Sequence, residues 1–213
     1  MDAFPEATPG TSGRSDQEAL KIALINEKSS PEILMFQEDL VSRIEAQIDY
    51  QEEQIELMRG NQDLELLRTI FTTELARVRY LLRCYYRVRL HKIEEYAMHI
   101  LDTAEVKERL SDREDAHAQE FFMLQGTHLK MAVGRQLPEA FSSLVRQAAA
   151  HPEKDMVPRP DLDKHVFCRV LEDRGQVPVD DAGNTAQFNK DDVFVIRYQP
   201  LQPLLAEGSV CLL

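Results

Sequence analysis

His165 and Cys168 stand three residues apart, a spacing that metal ligands can use. A structural zinc site takes four such ligands, and a catalytic one takes three plus water. No second Cys/His pair accompanies them. In a strand, these two side chains would point to opposite faces. The six histidines are scattered, and no H-E-x-x-H occurs. The glycine loops G-x-x-x-x-G-K-[ST], G-x-G-x-x-G and G-x-S-x-G are also missing, so phosphate-cradling and nucleophile-elbow chemistry lack their scaffolds. Asp161 and Asp163 are a conceivable carboxylate pair, but directly after Pro160 they fit turn residues better. Glu94 and Glu95 fit a solvated or salt-bridged helix face. The chain reads as a non-enzyme, with no cofactor and no metal.

The chemistry that remains is that of charge held on a helix. Arg77 to Glu94 reads R-V-R-Y-L-L-R-C-Y-Y-R-V-R-L-H-K-I-E, with five arginines and one lysine before its first acidic residue. At helical spacing Val78, Leu81, Leu82, Tyr85, Tyr86, Val88, Leu90 and Ile93 form one broad apolar arc. Arg79, Arg83 and Arg87 recur at i, i+4, i+8 on the other side. Arg89 and Lys92 fall inside the arc. A guanidinium there must be paired, because an unpaired buried charge costs several kcal/mol or more. Three readings of this helix stay open: a plain amphipathic helix with solvated arginines, a DNA-contacting face, and a buried subunit interface.

The elements around it follow from local signals. Residues 1–14 are rich in Pro, Gly, Ser and Thr and are expected to be a disordered tail. Ser15 with Glu18 is a capping-box pair that starts a short helix to about Glu27. Ser30 and Pro31 fit the N-cap and N1 of a second helix ending near Gly60. Leu34, Val41, Ile48 and Ile55, with Ile44 and Met58, give it a narrow seam. Its acidic remainder predicts an antiparallel pairing with the basic third helix, from near Asn61 to about Leu101. Ser111 with Glu114 opens a fourth helix, ending before Pro138. Phe141, Leu144 and Val145 suggest one or two more turns.

The composition changes after residue 147. Residues 148–160 carry three prolines and read as a linker. Strands are predicted at Val166–Leu171, Val193–Tyr198 and Val210–Leu213, with a D-D-A-G-N loop at 180–184 and a helical turn at Pro203–Ala206. The apolar end Val210–Leu213 is expected to pair antiparallel with Val193–Tyr198. The predicted class is α+β. An N-terminal all-α bundle of long helices (15–147) precedes a small C-terminal β-rich domain (161–213), too small to be more than marginal alone.

The net charge of −12 argues against a general nucleic-acid binder. Three widely spaced cysteines are not a disulfide framework and suggest a reducing compartment. No secretory signal and no apolar run near the roughly 20 residues of a membrane helix is visible. A soluble, intracellular protein is expected, with no membrane contact.

Four ordered segments carry a family resemblance. Arg77–Glu94 resembles the signature helix of the GINS family, in its Sld-type subunit. A-L-I-N-E-K-S-S-P-E-I-L (Ala23–Leu34) is similar to the family's A-x-x-N-E-K-x-x-P-E-L-L start. P-R-P-D-L-D-K-H-V-F-C-R-V (Pro158–Val170) is similar to its entry into a β domain. I-R-Y-Q-P-L-Q-P-L-L-A-E-G-S-V-C-L-L (Ile196–Leu213) is similar to its end. The resemblance implies a scaffold subunit of a heterotetramer with three paralogous GINS subunits. That assembly joins the MCM ring and a DHH-type partner as the replicative CMG helicase in the nucleus, and links it to polymerase-linking factors. Direct DNA contact is expected to be weak or absent. The expected interface or structural residues are Arg77, Arg79, Tyr80, Arg83, Tyr85, Arg87, Arg89, Lys92, Asp161, Asp163, Tyr198, Leu212 and Leu213. The rival readings are a helical tether of another complex, such as a kinetochore or vesicle-tethering subunit, and a DNA-binding module using the Arg77–Lys92 helix.

Overall fold

The computed structural model describes residues 15–138, 157–179 and 184–213. Helices come first and a small β module last, as expected. The chain forms two compact units. One comprises residues up to Ile25 and Gln37–Tyr85, the other Asn26–Phe36 and Tyr86–Leu213. The tail, residues 139–156 with Phe141, Leu144 and Val145, and most of the 180–184 loop lie outside the described residues.

Helix α1 spans Asp16–Ser29, and the Ser15 hydroxyl accepts from the Glu18 amide at 3.3 Å. Ser30 and Pro31 do not start the next helix. Instead, residues 30–37 form a non-helical strap, and α2 begins at Glu38 and ends at Leu57. The reason is tertiary. The Ser30 hydroxyl lies 2.9 Å from the Glu32 carbonyl, to which it can donate, and 3.3 Å from the Glu27 carbonyl, and the Lys92 ammonium donates to the same two carbonyls. The helix is therefore about 30 Å long, shorter than the seam suggested. Leu40, Val41, Ile44 and Ile48 are its buried stripe. Gly60, with φ +86°, terminates the segment in the left-handed region that glycine alone adopts at little cost.

A short 3₁₀ turn, Gln62–Leu64, leads into α3, Glu65–Glu95. Leu75, Val78, Leu82 and Tyr85 recur every three or four residues and are buried. Arg79 pairs with Glu52 of α2, as the complementary charges of the two helices predicted. The expected continuation to Leu101 is interrupted at Tyr96. There the chain bends, and α4 (Ala97–Asp102) lays Ala97 and Ile100 inward. Ile100 joins Ile33, Ile93 and Ala118 in a small core. After α5 (Ala104–Lys107), the Ser111–Glu114 capping box is fully formed and opens α6, Asp112–Ala132. Gly126 sits inside α6 without breaking it.

The β module begins with β1, His165–Val170, whose side chains alternate exposed and buried. It is the central strand of a three-stranded antiparallel sheet ordered β4-β1-β5, with β4 at Val193–Arg197 and β5 at Val210–Leu212. The expected pairing of the C-terminal strand with β4 is thus corrected. β5 pairs with β1, Cys168 opposite Leu212, while β4 occupies the other edge of β1. Placing β1 centrally lets Val166, Cys168 and Val170 receive core neighbours from both sides. A second sheet, unforeseen from the sequence, is the hairpin β2 (Gly175–Pro178) with β3 (Thr185–Phe188). Phe188 of β3 stacks on Phe194 of β4, with ring centroids 4.8 Å apart. Helix α7, Gln202–Ala206, and Gly208 at φ +75° turn the chain into β5.

Candidate partner interface

Arg89 is fully buried on α3, and all five of its N–H donors are used. Nε and Nη2 donate to the two Glu114 oxygens at 2.7 and 3.0 Å. Nη1 donates to Glu27 Oε2 at 3.0 Å and to the Leu34 carbonyl at 2.8 Å, and Nη2 also reaches the Arg109 carbonyl at 3.1 Å. Its Cζ lies 5.3 Å from the Phe36 ring centroid. The expectation that a guanidinium inside the apolar arc needs partners is met in full.

One turn on, Lys92 is also buried. Its ammonium donates to Glu27 Oε1 at 3.0 Å, to the Ser30 hydroxyl at 2.8 Å and to the Glu32 carbonyl at 2.7 Å. Burial holds its pKa below the usual lysine value, against the opposing pull of Glu27. Glu32 then faces the β module. One of its oxygens accepts from the Tyr198 hydroxyl at 2.9 Å and from Gln202 at 2.6 Å, and the other pairs with Arg109 at 2.8 Å. Burial, with Glu32 second, pushes the Tyr198 hydroxyl well above the ordinary tyrosine range.

The segment 26–36, the last turn of α1 and most of the strap, is thus the keystone of its unit. Asn26 accepts from the Leu212 amide at 2.8 Å, and Ser29 donates to the Leu213 carbonyl at 3.0 Å. Leu34 packs against the β core. The small module leans on this strap, consistent with its marginal size. Asn26, Glu27, Ser30, Glu32 and Arg109 were not singled out from the sequence as network members. The available signal was the N-E-K-S-S-P-E run, whose polar residues have no obvious helical partner.

The structure divides the expected site residues. Tyr85, Arg89, Lys92, Tyr198 and Leu212 are buried and structural. Arg83 and Arg87 are exposed, and among the described residues neither has a carboxylate partner. Tyr80 is 61% exposed. Arg77 pairs with Glu74 at 3.6 Å, and Arg79 with Glu52. Asp161 and Asp163 form a turn, with the Asp163 amide donating to Asp161 at 3.0 Å and the Asp163 carboxylate 3.7 Å from Arg197. Leu213 is half exposed. His165 is exposed and Cys168 buried, on opposite faces of β1.

Large apolar side chains also remain on the surface. Phe167, Val193 and Val195 share the outer face of the sheet, with Phe167 directly opposite Val195. Met123, Leu124 and Met131 stand exposed on α6. Among the described residues, no helix is long and apolar enough to cross a membrane, and no cluster of three metal-ligating side chains occurs.

Helices first and a small β module last define a chain of the α+β class. Residues 43–131 match the family described as GINS complex protein helical bundle domain, and residues 160–213 match the DNA replication complex GINS protein SLD5 C-terminus. DNA replication complex GINS protein SLD5 of Arabidopsis thaliana is 35% identical over 206 residues, covering 93% of this chain and 91% of its own. The Homo sapiens protein of that name is 31% identical over 206 residues, 92% of this chain and 88% of its own. The Schizosaccharomyces pombe protein is 30% identical over 206 residues, 96% and 95% respectively. The chain belongs to the SLD5 family of GINS proteins.

Proposed function

We propose that this chain is a non-catalytic scaffold subunit of a heterotetrameric GINS complex, acting in DNA replication in the nucleus within the CMG helicase. The observation that carries the reading is similarity over nine-tenths of the chain to proteins named as GINS subunits of the DNA replication complex. Its partners are three paralogous GINS subunits, the MCM ring with its DHH-type partner, and polymerase-linking factors. Exposed residues of α3 (Tyr80, Arg83, Arg87), the outer sheet face around Phe167 and the end at Leu213 are its partner-facing surface. The buried set around Arg89 keeps its own unit in shape. Binding energy holds other proteins in register, and the chemical work is done by the ring's ATPase.

The test is affinity purification of the full chain from its own cells, with identification of co-purifying chains. Three paralogues and MCM subunits are the expected result. Recovery of kinetochore or vesicle-tethering proteins in their place overturns the reading.

A further inference from the structure

The two edges of the three-stranded sheet are in different states. β5 is closed on its outer side, where the Leu212 amide donates to Asn26 at 2.8 Å. β4 is open. Its backbone bonds to β1 fall on every second residue, from the Val170 amide on the Asp192 carbonyl to the Tyr198 amide on the Lys164 carbonyl. That alternation turns the peptide groups of Phe194 and Ile196 toward β1 and those of Val193 and Val195 away from it. Among the described residues, no hydrogen bond reaches the outward amides and carbonyls of Val193 and Val195. The usual protections of an edge are also missing. V-F-V-I-R pairs one to one with β1, holds no proline or lysine, and keeps its single charge at the end. An apolar row ends at the same edge. Leu213, Phe167 and Val195 lie side by side across the outer face and are 45, 58 and 54% exposed.

We infer that this edge takes a fourth strand, an extended segment of a partner subunit that pairs with the Val193 and Val195 peptide groups. The side chain it sets beside Val195 is β-branched or aromatic, and continues the row of Leu213, Phe167 and Val195. Backbone bonds supply the affinity, and alternate side chains supply the selection. A helix does not answer this edge, because it spends its own amides and carbonyls internally and leaves the edge groups unpaired. A second copy of this chain fits less well. Antiparallel pairing of two β4 strands centred on Val195 sets Arg197 of one copy opposite Val193 of the other. Arg169 lies one strand further on, so like charges face each other twice at about 10 Å. Asp163, 3.7 Å from Arg197, offsets only part of this. The inference rests on the proposed function, since it draws the strand from a subunit of the same complex.

The test co-expresses the full chain with its three paralogues and follows residue-resolved amide hydrogen exchange in the purified complex. The Val193 and Val195 amides should exchange about a hundredfold or more slowly than an exposed amide, as Phe194 and Ile196 do. In a second arm, a photo-crosslinking amino acid at Val193 should label an extended segment of one partner subunit. Val195→Pro removes an amide that faces away from β1, a change an edge strand tolerates. With Phe194 and Ile196 still protected, it should cut the crosslink about tenfold or more. If those two amides lose protection in the proline variant, Val195→Lys takes its place, with the same expected loss. Rapid exchange at Val193 and Val195 in a complex that holds the paralogues overturns the inference and leaves the proposed function standing. So does a crosslink that the variants do not diminish. A crosslink to a second copy, to nucleic acid, or to residues 139–156 or 180–183 of the same chain also overturns it. If the unaltered chain recovers no paralogue, the proposed function falls and takes the inference with it.

Discussion

Glu114 closes on Arg89 with both carboxylate oxygens, at 2.7 and 3.0 Å, while one of those oxygens also caps the Ser111 amide at 2.9 Å. A single side chain thus satisfies the start of α6 and two of the five N–H donors of a buried guanidinium. An ordinary capping box is a local device. Here it is also the anchor by which α3 and α6 are held together.

Arg89→Ala should destabilise the chain by roughly 3–5 kcal/mol, because it strands the buried carboxylates of Glu27 and Glu114. Arg83→Ala, at an exposed position, should cost under about 1 kcal/mol. Thermal melts of the assembled complex check the pair. Equal losses would show that the Arg89 network is not what holds this unit.

Glu114→Gln and Glu114→Ala should separate the two roles of that residue. Glutamine can still cap the Ser111 amide and accept one Arg89 bond, so about 1–3 kcal/mol should be lost. Alanine removes cap and counter-charge together and should cost about 3–5 kcal/mol. Urea midpoints measure the difference, and identical midpoints would reject a dual role.

Alkaline pH should weaken the β module, with Cys168 contributing first. Burial pushes its thiol from 9.0 up to about 11. The folded state therefore keeps a proton that the unfolded state releases. The associated stability is present below pH 9 and is lost as pH rises toward 11, about 2–3 kcal/mol in all. Tyr198, also raised by burial, acts in the same direction above its ordinary value of 10.0. Lys92 works oppositely. Its lowered value means the folded state gives up its proton first, so its burial penalty relaxes as pH climbs toward 10.5. Chemical denaturation at pH 8, 9, 10 and 11 should show falling stability for the native chain and a shallower fall for Cys168→Ala. A flat profile would contradict this balance.

Removing Leu212 and Leu213 should loosen the β module and weaken assembly. Leu212 is buried opposite Cys168, and its amide is held by Asn26. Burying one leucine is worth roughly 1.5–3 kcal/mol, a large share for so small a module. Hydrogen exchange at β1 amides and recovery of the paralogues are the measurements. Unchanged protection and recovery would mean the last strand is dispensable.

Local signals were legible where local chemistry decided the outcome. The Ser111–Glu114 box, the Gly60 terminator and the β1 strand are set by residues within one turn or one strand. Burial of Arg89 was legible too, because its place in the apolar arc left no other option. Its partners were not, since Glu27 lies 62 residues away and Glu114 lies 25 away. Ser30–Pro31 shows a local signal overruled. A good N-cap pair was drawn into the strap because the Glu27 and Glu32 carbonyls had a buried ammonium to satisfy. The β2–β3 hairpin escaped notice because G-Q-V-P and T-A-Q-F hold few β-branched or aromatic residues, and Pro178 weakens the strand pattern.

The strap also sets an order of events in time. Arg89 and Glu114 are separated by 25 residues, whereas Asn26 and Leu212 are separated by 186. Closing the longer loop costs about 2 kcal/mol more in chain entropy. We expect contacts of that span to form after the folding barrier, so that weakening them speeds unfolding more than it slows folding. On that expectation, Asn26→Ala should shorten the lifetime of the native state in unfolding-rate measurements and leave the refolding rate almost unchanged; an equal slowing of refolding would reject it.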